Sequence, residues 1–426
     1  MILPSDIQVE KAILGSALIS EEYVPQILEL GEDDFFLPEH KKMFRMVKEY
    51  YNTGKPIDAI TMSVSGVDGV AYVGMATHDV AGYCSILREK TKMRQIITVC
   101  NNAVSRAVEG SFSADEIITQ LDKLSQDVVD DRSTKDITSS LMQVVQRIDD
   151  IRTGKRKLGI TVGLDFEDSI GGFEDGNFYV VAARPAMGKS AFALEVARRT
   201  AGHGVPVGIL SLEMSDTSLA LRLLTADVGI DASDIREGRI SDDQMMQIME
   251  SANRLSALPI FFDDNSYVTP ATLRSRAHRM KSLYGIGMLV VDYIQLMTGS
   301  NDNRERDIAE ASRTCKIIAK ELEIPVIGLA QLNRGVEQRI DKRPMLSDLR
   351  ESGAIEQDAD AVLMLYRPEY YDQHVYGDKD PQDWRGQSTQ DICEVLITKN
   401  RNGDVGMIRQ VFVKNLMQFK NRNAIY

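Results

Sequence analysis

Residues 177–200 read NFYVVAARPAMGKSAFALEVARRT. A continuous apolar run stops at Ala183, a short turn follows, and a helical pattern opens at Lys189. An apolar run without polar alternation fits a strand buried on both faces. A helix following it returns over the sheet, so the next strand lies parallel to the first. The turn matches G-x-x-x-x-G-K-[ST], with Ala183 at the first glycine position. Such a loop curls its amide N–H groups around phosphate oxygens, and the helix N-terminus adds partial positive charge. Ala183, Arg184, Pro185, Ala186, Met187, Gly188, Lys189 and Ser190 are therefore the candidate nucleotide-binding residues. Lys189 is placed to reach the β- and γ-phosphates, and Ser190 to ligate Mg²⁺. A chance GKS in a surface turn would lack the flanking strand and helix.

The alternation recurs. VPVGILSL precedes DTSLALRLLTA, LPIFFDD precedes TPATLRSRAHRMKSLYG, and IGMLVVDYIQL precedes RERDIAEASRTCKIIAKELE, before a further apolar run, IPVIGLAQL. This pattern predicts an α/β domain with a mostly parallel sheet and flanking helices. Thr269-Pro270 marks a helix start. The tail DICEVLITKNRNGDVGMIRQVFVKN reads as two strands joined at Asn402-Gly403. Open α/β sheets bind ligands at the carboxyl ends of their strands. Asp292 stands at such an end and is a candidate for ordering Mg²⁺ and its hydration shell. Glu213 is a candidate base for an attacking water, or a helix cap, since SLEMSD precedes a helix. Gln331 is either a sensor for a γ-phosphate or an ordinary surface amide.

The first third has a different texture. Residues 1–130 read as an all-α helical bundle without chemistry of its own. Ser5 is expected to cap a helix through SDIQVEKAILGSALI, and Pro38 to precede one through EHKKMFRMVKEYY. YCSILREKTKMRQIITVCNNAVSRAVE and SADEIITQLDKLSQDVV supply a third and a fourth. Residues 131–160 read as a linker carrying an amphipathic helix, with Leu141, Val144, Val145, Ile148 and Ile151 on one face. That stripe can pack on its own chain or on a neighbouring subunit, and pattern leaves both open. Residues 161–426 form the α/β domain.

Composition narrows the partners. The net charge is −13. Residues 1–130 carry 12 Lys+Arg against 20 Asp+Glu, and residues 131–426 carry 38 against 43. A broad basic face for nucleic acid is excluded; a few contacts per subunit inside a ring are not. No run approaches eighteen apolar residues, so no membrane span is expected. The opening MILPSDIQVEK does not read as a secretory signal. Cys84, Cys100, Cys315 and Cys393 form no CxxC pair, which argues against a zinc ribbon and fits a reducing cytoplasm.

ARPAMGKS, SLEM, VVDYIQLM, AQLNR, KRPMLSDLRESGAIEQDADAV and ITKNRNG occur in that order after residue 160. EKAILGSALI, DDFFLPEH and GKPIDAITM lie in the first third. On these strings the chain resembles the DnaB family of hexameric replicative helicases. The long KRPMLSDLRESGAIEQDAD string separates that family from other RecA-like ATPases, and alanine at the first glycine position is usual in it. The resemblance implies a RecA-like motor behind a helical N-terminal domain. It also implies a ring of six subunits with ATP and Mg²⁺ at their boundaries. Movement would be 5′ to 3′ on single-stranded DNA, unwinding duplex at the replication fork.

By the same resemblance Lys189, Ser190 and Asp292 bind Mg-ATP, Glu213 is the catalytic base, and Gln331 couples the γ-phosphate to the DNA loops. Arg401 is the arginine finger reaching the neighbour's ATP, with Lys399 beside it. Charge pattern alone would read those two as solvated hairpin cations. Arg350, Glu351 and Gly353 would line the channel and touch phosphates without reading bases; Arg350 could instead serve an ion pair. The helix at 138–153 would dock on an adjacent motor domain. Primase and a helicase loader are the implied partners, in the cytoplasm of a bacterial cell, host- or phage-encoded. Two segments depart from the family: EYYDQHVYGDKDPQDWRGQSTQ, with Trp384, is longer than usual, and the stretch after DAITM is shorter. Two rival readings are a filament-forming recombinase and an inactive scaffold that recruits primase. KRPMLSDLRESG disfavours the first, and intact Lys189, Glu213, Asp292 and Arg401 the second.

Overall fold

The computed structural model describes residues 3–64, 69–109, 137–154, 158–265, 267–297, 304–371 and 388–422. The chain forms two compact units, Met1–Thr134 and Lys135–Tyr426.

Among its described residues the first unit is helical. Its longest elements are Ile7–Ile19, Pro38–Thr53 and Val80–Glu109. Asp6, not Ser5, caps the first helix, and its carboxylate accepts the Val9 N–H at 3.2 Å. The correction follows from reach: an N-cap side chain bonds the second or third helical amide, and Ser5 stands one residue too early. Pro38 opens the second helix at its first position, where no intrahelical N–H is needed. Ile13, Leu14, Phe35, Phe44, Val47 and Leu87 fill the core. Set among them, fully buried Glu10 accepts from the Phe36 N–H at 2.9 Å and pairs with His40 Nδ1 at 2.5 Å. One carboxylate thus ties the first helix to the start of the second. The expected helix at 113–129 and the polar linker at 128–136 lie outside the described residues.

The second unit is built on one nine-stranded sheet. Its strands are β1 (Phe178–Ala183), β2 (Val207–Ser211), β3 (Ile260–Asp263), β4 (Met288–Asp292), β5 (Val326–Gln331), β6 (Ala361–Tyr366), β7 (Ile392–Asn400), β8 (Gly406–Val413) and β9 (Gln418–Lys420). The spatial order is β3-β2-β4-β5-β1-β6-β7-β8-β9. The first six strands pair in parallel and the last three antiparallel. This is the mostly parallel α/β architecture expected from the sequence. Tyr179, Val181 and Ala183 enter one core with Phe192, Val196 and Leu223. Phe178, Val180 and Ala182 enter the other with Ala277, Cys315 and Ile318. Helices on both faces are the reason β1 shows no polar alternation.

Some elements differ from expectation. The apolar run at 286–296 ends as a strand at Asp292, and Ile294–Leu296 turns as a 3₁₀ helix. Between β2 and β3 lie two helices the periodicity reading passes over, Ala232–Glu237 and Asp242–Ser256. The second carries its own signal, a capping box between Ser241 and Gln244. The amphipathic helix runs Ile137–Arg152, and Arg147 pairs with Glu174 at 3.1 Å. Its Leu141, Val144, Val145 and Ile148 stay between 51% and 60% exposed. Residues 372–387 of the long acidic segment, Trp384 included, lie outside the described residues. No described helix is long and apolar enough to cross a membrane.

Removing the buried acceptor of the first unit has a direct consequence. Glu10→Ala leaves the Phe36 N–H and the His40 ring without their partner, and should destabilise that unit by roughly 2–4 kcal/mol. Denaturant unfolding of the full chain checks this; an unchanged first transition would remove Glu10 from the account.

Candidate active site

β1, β2, β4 and β5 all point their carboxyl ends at one edge of the sheet. The phosphate loop leaves β1, Glu213 follows β2, Asp292 ends β4 and Gln331 ends β5. A cleft of about 380 Å³ opens there, lined among others by Lys189, Ser190, Glu213, Arg222 and Gln331. Within the loop, Ala186 and Gly188 take left-handed backbone, with φ of 66° and 95°. At Gly188 a Cβ would meet the Phe412 ring at 3.0 Å, so glycine is needed for both space and conformation. Ala183 is not in that region; it continues β1, and a glycine's freedom is not required there. The Lys189–Gly202 helix then begins at the lysine, with Gly188 as its N-cap.

Charges of both signs meet in this cleft. Lys189 Nζ lies 3.7 Å from Asp292 Oδ1 and 4.0 Å from the centre of the Tyr293 ring. Burial pulls the Lys189 ammonium below the ordinary lysine value, while Asp292 and Glu213 oppose that pull. Asp292 is 3% exposed, and its Oδ1 has no hydrogen-bond partner among the described residues. A buried carboxylate oxygen left open beside a phosphate loop fits a cation ligand. Glu213 stands exposed on the turn after β2. It does not cap the next helix; Ser215 does, accepting from the Ser218 N–H. Gln331 is exposed at the end of β5 and also borders a second cleft of about 410 Å³, next to Asn333, Arg334 and Asp348.

Not every loop side chain faces the cleft. Met187 is buried in the core, which leaves its backbone for phosphate contact. Arg184 sends its guanidinium to the Leu332 carbonyl at 2.8 Å and to Glu337 at 2.9 Å. It braces the loop against the segment after β5.

Lys399 and Arg401 lie elsewhere. Asn400 pairs with Ala361 at the start of β6, whereas Leu365, near its end, pairs with Ala183. The two cations therefore sit at the amino edge of the parallel strands, roughly 15 Å along the sheet from their own phosphate loop. Arg401 donates to Asp360 Oδ1 at 3.2 Å and to the Gln357 carbonyl at 2.6 Å. Lys399 donates to the Glu356 carbonyl at 2.5 Å. Burial and Arg401 lower the Lys399 pKa. The backbone of Arg350 and Glu351 lies in the 3₁₀ segment Leu346–Ser352, and their side chains lie outside the described residues. Gly353 is exposed and opens the helix Gly353–Asp358.

Comparison with known proteins decides the family. Residues 159–421 match the DnaB-like helicase C terminal domain, and residues 2–65 match the DnaB-like helicase N terminal domain. The replicative DNA helicase DnaB of Geobacillus stearothermophilus is 34% identical over 447 residues, covering 99% of this chain and 95% of that protein. The replicative DNA helicase DnaC of Bacillus subtilis (strain 168) is 33% identical over 442 residues, with 98% and 95% coverage. The chain belongs to the DnaB family of replicative DNA helicases. It is an ATP-dependent DNA helicase. Among solved structures, a DnaB-like replicative helicase described with its interactions with primase aligns at TM-score 0.74 and 28% identity, covering 98% of this chain and all of that one. A second solved structure, an isolated ATPase domain, aligns at TM-score 0.61 and 33% identity, covering 68% of this chain and 99% of its own.

Against that family background, the cleft contains residues that pattern reading missed. Arg222 comes from the Asp216–Val228 helix, between buried Leu219 and Leu223. Burial lowers its pKa, while Asp292 and Glu213 work against that. A cation on an otherwise apolar helix face was the available signal. Phe412, Lys414 and Met417 reach the cleft from β8 and the turn after it. Nothing in their local sequence connects them to a loop more than two hundred residues upstream.

Arg222 stands near both acids and faces the space a triphosphate would fill. Arg222→Ala should slow ATP turnover by roughly ten- to hundredfold, the range of one charge-assisted hydrogen bond. Steady-state hydrolysis beside a melting curve checks this; wild-type turnover would exclude Arg222 from the reaction.

Proposed function

We propose that six copies of this chain close around single-stranded DNA, and that each ATP is hydrolysed at a boundary between two of them. The position of Arg401 carries this reading. In a single chain the cation family resemblance names as the finger lies at the sheet edge opposite its own cleft, further than an arginine side chain reaches. A neighbour's cleft is the remaining destination.

Within one cleft the tasks divide by chemistry. Loop amides and Lys189 hold the β- and γ-phosphate oxygens. Asp292 and Ser190 would hold Mg²⁺, which neutralises charge between those phosphates when bound. Glu213 orients the attacking water and takes its proton, returning it to solvent afterwards. Gln331 senses whether the γ-phosphate is present. Arg401 of the next subunit stabilises charge on the transferring group, an effect worth about 10³–10⁵ in rate in other nucleotide hydrolases.

Translocation follows from alternation of these contacts. Closing a boundary on ATP draws Arg401 toward the γ-phosphate, and hydrolysis removes that attraction. The segment Arg350–Gly353 then shifts with its boundary and passes the strand along through phosphate contacts. A base-pair step is worth about 1.4 kcal/mol on average, so unwinding needs repeated energy input. The exposed stripe of Leu141, Val144, Val145 and Ile148 is suited to docking on a neighbouring subunit. A primase and a helicase loader are the proposed protein partners, in a bacterial cytoplasm.

Mixing separates a shared site from a self-contained one. Arg401→Ala should retain nucleotide binding and lose about 10³-fold or more in turnover. Lys189→Ala should lose turnover outright. Rings mixed from the two variants should recover part of the activity, because some boundaries pair an intact loop with an intact finger. A monomer hydrolysing ATP at full rate in the presence of DNA would end the proposal. Arg350→Ala should weaken single-strand affinity and reduce the slope of log affinity against log salt by about 1; an unchanged slope would remove it from the channel.

A further inference from the structure

Backbone pairing between β4 and β5 stops at Val291↔Gly328, three residues short of Gln331. Beyond that point one side chain continues the ladder. Gln295 lies in the 3₁₀ turn after β4. Its Oε1 accepts the Gln331 N–H at 3.1 Å, and its Nε2 donates to the Gln331 carbonyl at 3.0 Å. A primary amide offers C=O and N–H side by side, so it can stand in for a strand's peptide group.

The residue held in this way borders both clefts at the carboxyl edge. One is the nucleotide cleft; the other is walled in part by Gln295, Asn333, Arg334 and Asp348. Two residues beyond Gln331, the Asn333 N–H donates to the Asp348 carbonyl at 3.1 Å. Asp348 precedes Arg350 by two residues in the segment proposed to face DNA. In the other direction, Gln295 follows Asp292 by three. A short path, part main chain and part hydrogen bond, therefore runs from the metal-side acid, through Gln295 and Gln331, to the DNA-side loop.

We infer that Gln295 is a positioning residue: its amide fixes the main chain of Gln331 to the strand bearing Asp292, so that loss of the γ-phosphate is transmitted toward residues 333–350. The inference rests on the reading of Gln331 as γ-phosphate sensor. Gln295 is only half-buried, and its partner is main chain, so no side-chain substitution at 331 can supply or remove the clamp.

The test uses the full-length protein and a single-stranded oligothymidylate. Gln295→Met keeps the length of the side chain and removes both hydrogen bonds. DNA-stimulated kcat for ATP should fall about five- to thirtyfold, the range expected for two neutral hydrogen bonds. The KM for ATP should stay at the wild-type value, and the melting temperature should fall by no more than a few degrees, as the loss of two half-exposed hydrogen bonds implies. Gln295→Glu, which keeps one acceptor but sets a second oxygen against the Gln331 carbonyl, should fall at least as far. Gln331→Met should lose the stimulation, and adding Gln295→Met to it should change nothing more, since the clamp acts through that residue. Wild-type stimulation in Gln295→Met, with Gln331→Met impaired, overturns the inference and leaves the sensor reading intact. Wild-type stimulation in Gln331→Met overturns both. Multiplying losses in the double variant, or a fall in melting temperature large enough to unfold Gln295→Met at the assay temperature, assign Gln295 a role other than this one.

Discussion

A buried carboxylate oxygen that makes no hydrogen bond among the described residues and faces one ammonium is the constraint around which the second unit is arranged. Asp292 is almost wholly buried, its Oδ1 makes no hydrogen bond among the described residues, and the cation beside it, Lys189, stands at 3.7 Å. Leaving such a group open costs about 1–3 kcal/mol or more. The fold sustains this because β4 is held on both sides by parallel neighbours, β2 and β5. A rigid strand cannot turn its last side chain out to water. The open oxygen, the depressed ammonium of Lys189 and the left-handed pair Ala186 and Gly188 are one device. The open oxygen, the depressed ammonium and the left-handed backbone at Ala186 are each unfavourable alone, and together they suit the charges of a nucleotide triphosphate with a cation.

The sheet has two working edges. At the carboxyl edge it gathers the acids, the lysine and Gln331. At the amino edge, β7 returns antiparallel and delivers Lys399 and Arg401 against the helix Gly353–Asp358. Their partners there are main-chain carbonyls at the end of that helix, where a cation is favoured by the aligned peptide dipoles. The same helix begins at Gly353, directly after the segment proposed to touch DNA. Whatever draws Arg401 away toward a neighbour's phosphate withdraws a bond from the far end of the DNA-side helix. In the proposed ring, hydrolysis at one boundary and movement of the strand contact would be joined through this helix of six residues.

How much of this was legible in the sequence depends on how local each signal is. β1, the phosphate loop and the helix after it were readable because strand, turn chemistry and helix start occupy one contiguous stretch. Asp292, Glu213 and Gln331 were readable because each follows an apolar run, and parallel strands gather their ends automatically. The cap at Asp6 was displaced by one residue, as two adjacent residues can both accept and only backbone geometry selects. Arg222 escaped because a helix pattern is read for its apolar positions, and the cation among them is taken as solvated. Phe412 and β9 escaped for another reason. Three residues are too few to carry a period, and their place beneath the loop is fixed by a hairpin closing over a long sequence separation. The finger reading of Arg401 came from resemblance alone, since the function proposed for it lies outside its own chain.

A single chain is left incomplete in two physically unrelated ways. Six apolar side chains on the Ile137–Arg152 helix, the four of the stripe with Ile137 and Met142, remain more than half exposed. Burying such groups is worth about 1.5–3 kcal/mol for each full side chain, a driving force no water-facing helix retains without a use. Arg401, meanwhile, sits 49% exposed in an ion pair that solvent screens, at the edge where its own cleft cannot be reached. An apolar stripe seeks any apolar surface; a guanidinium at an open edge seeks an anion. Repeating the same chain around an axis offers both at once, and each copy then meets its neighbour with the same two surfaces. Such head-to-tail contacts close only if the rotation per subunit divides the circle. In the proposed ring the hydrophobic contact would supply stability, and the charged one, available only while a γ-phosphate is present, would supply the switch.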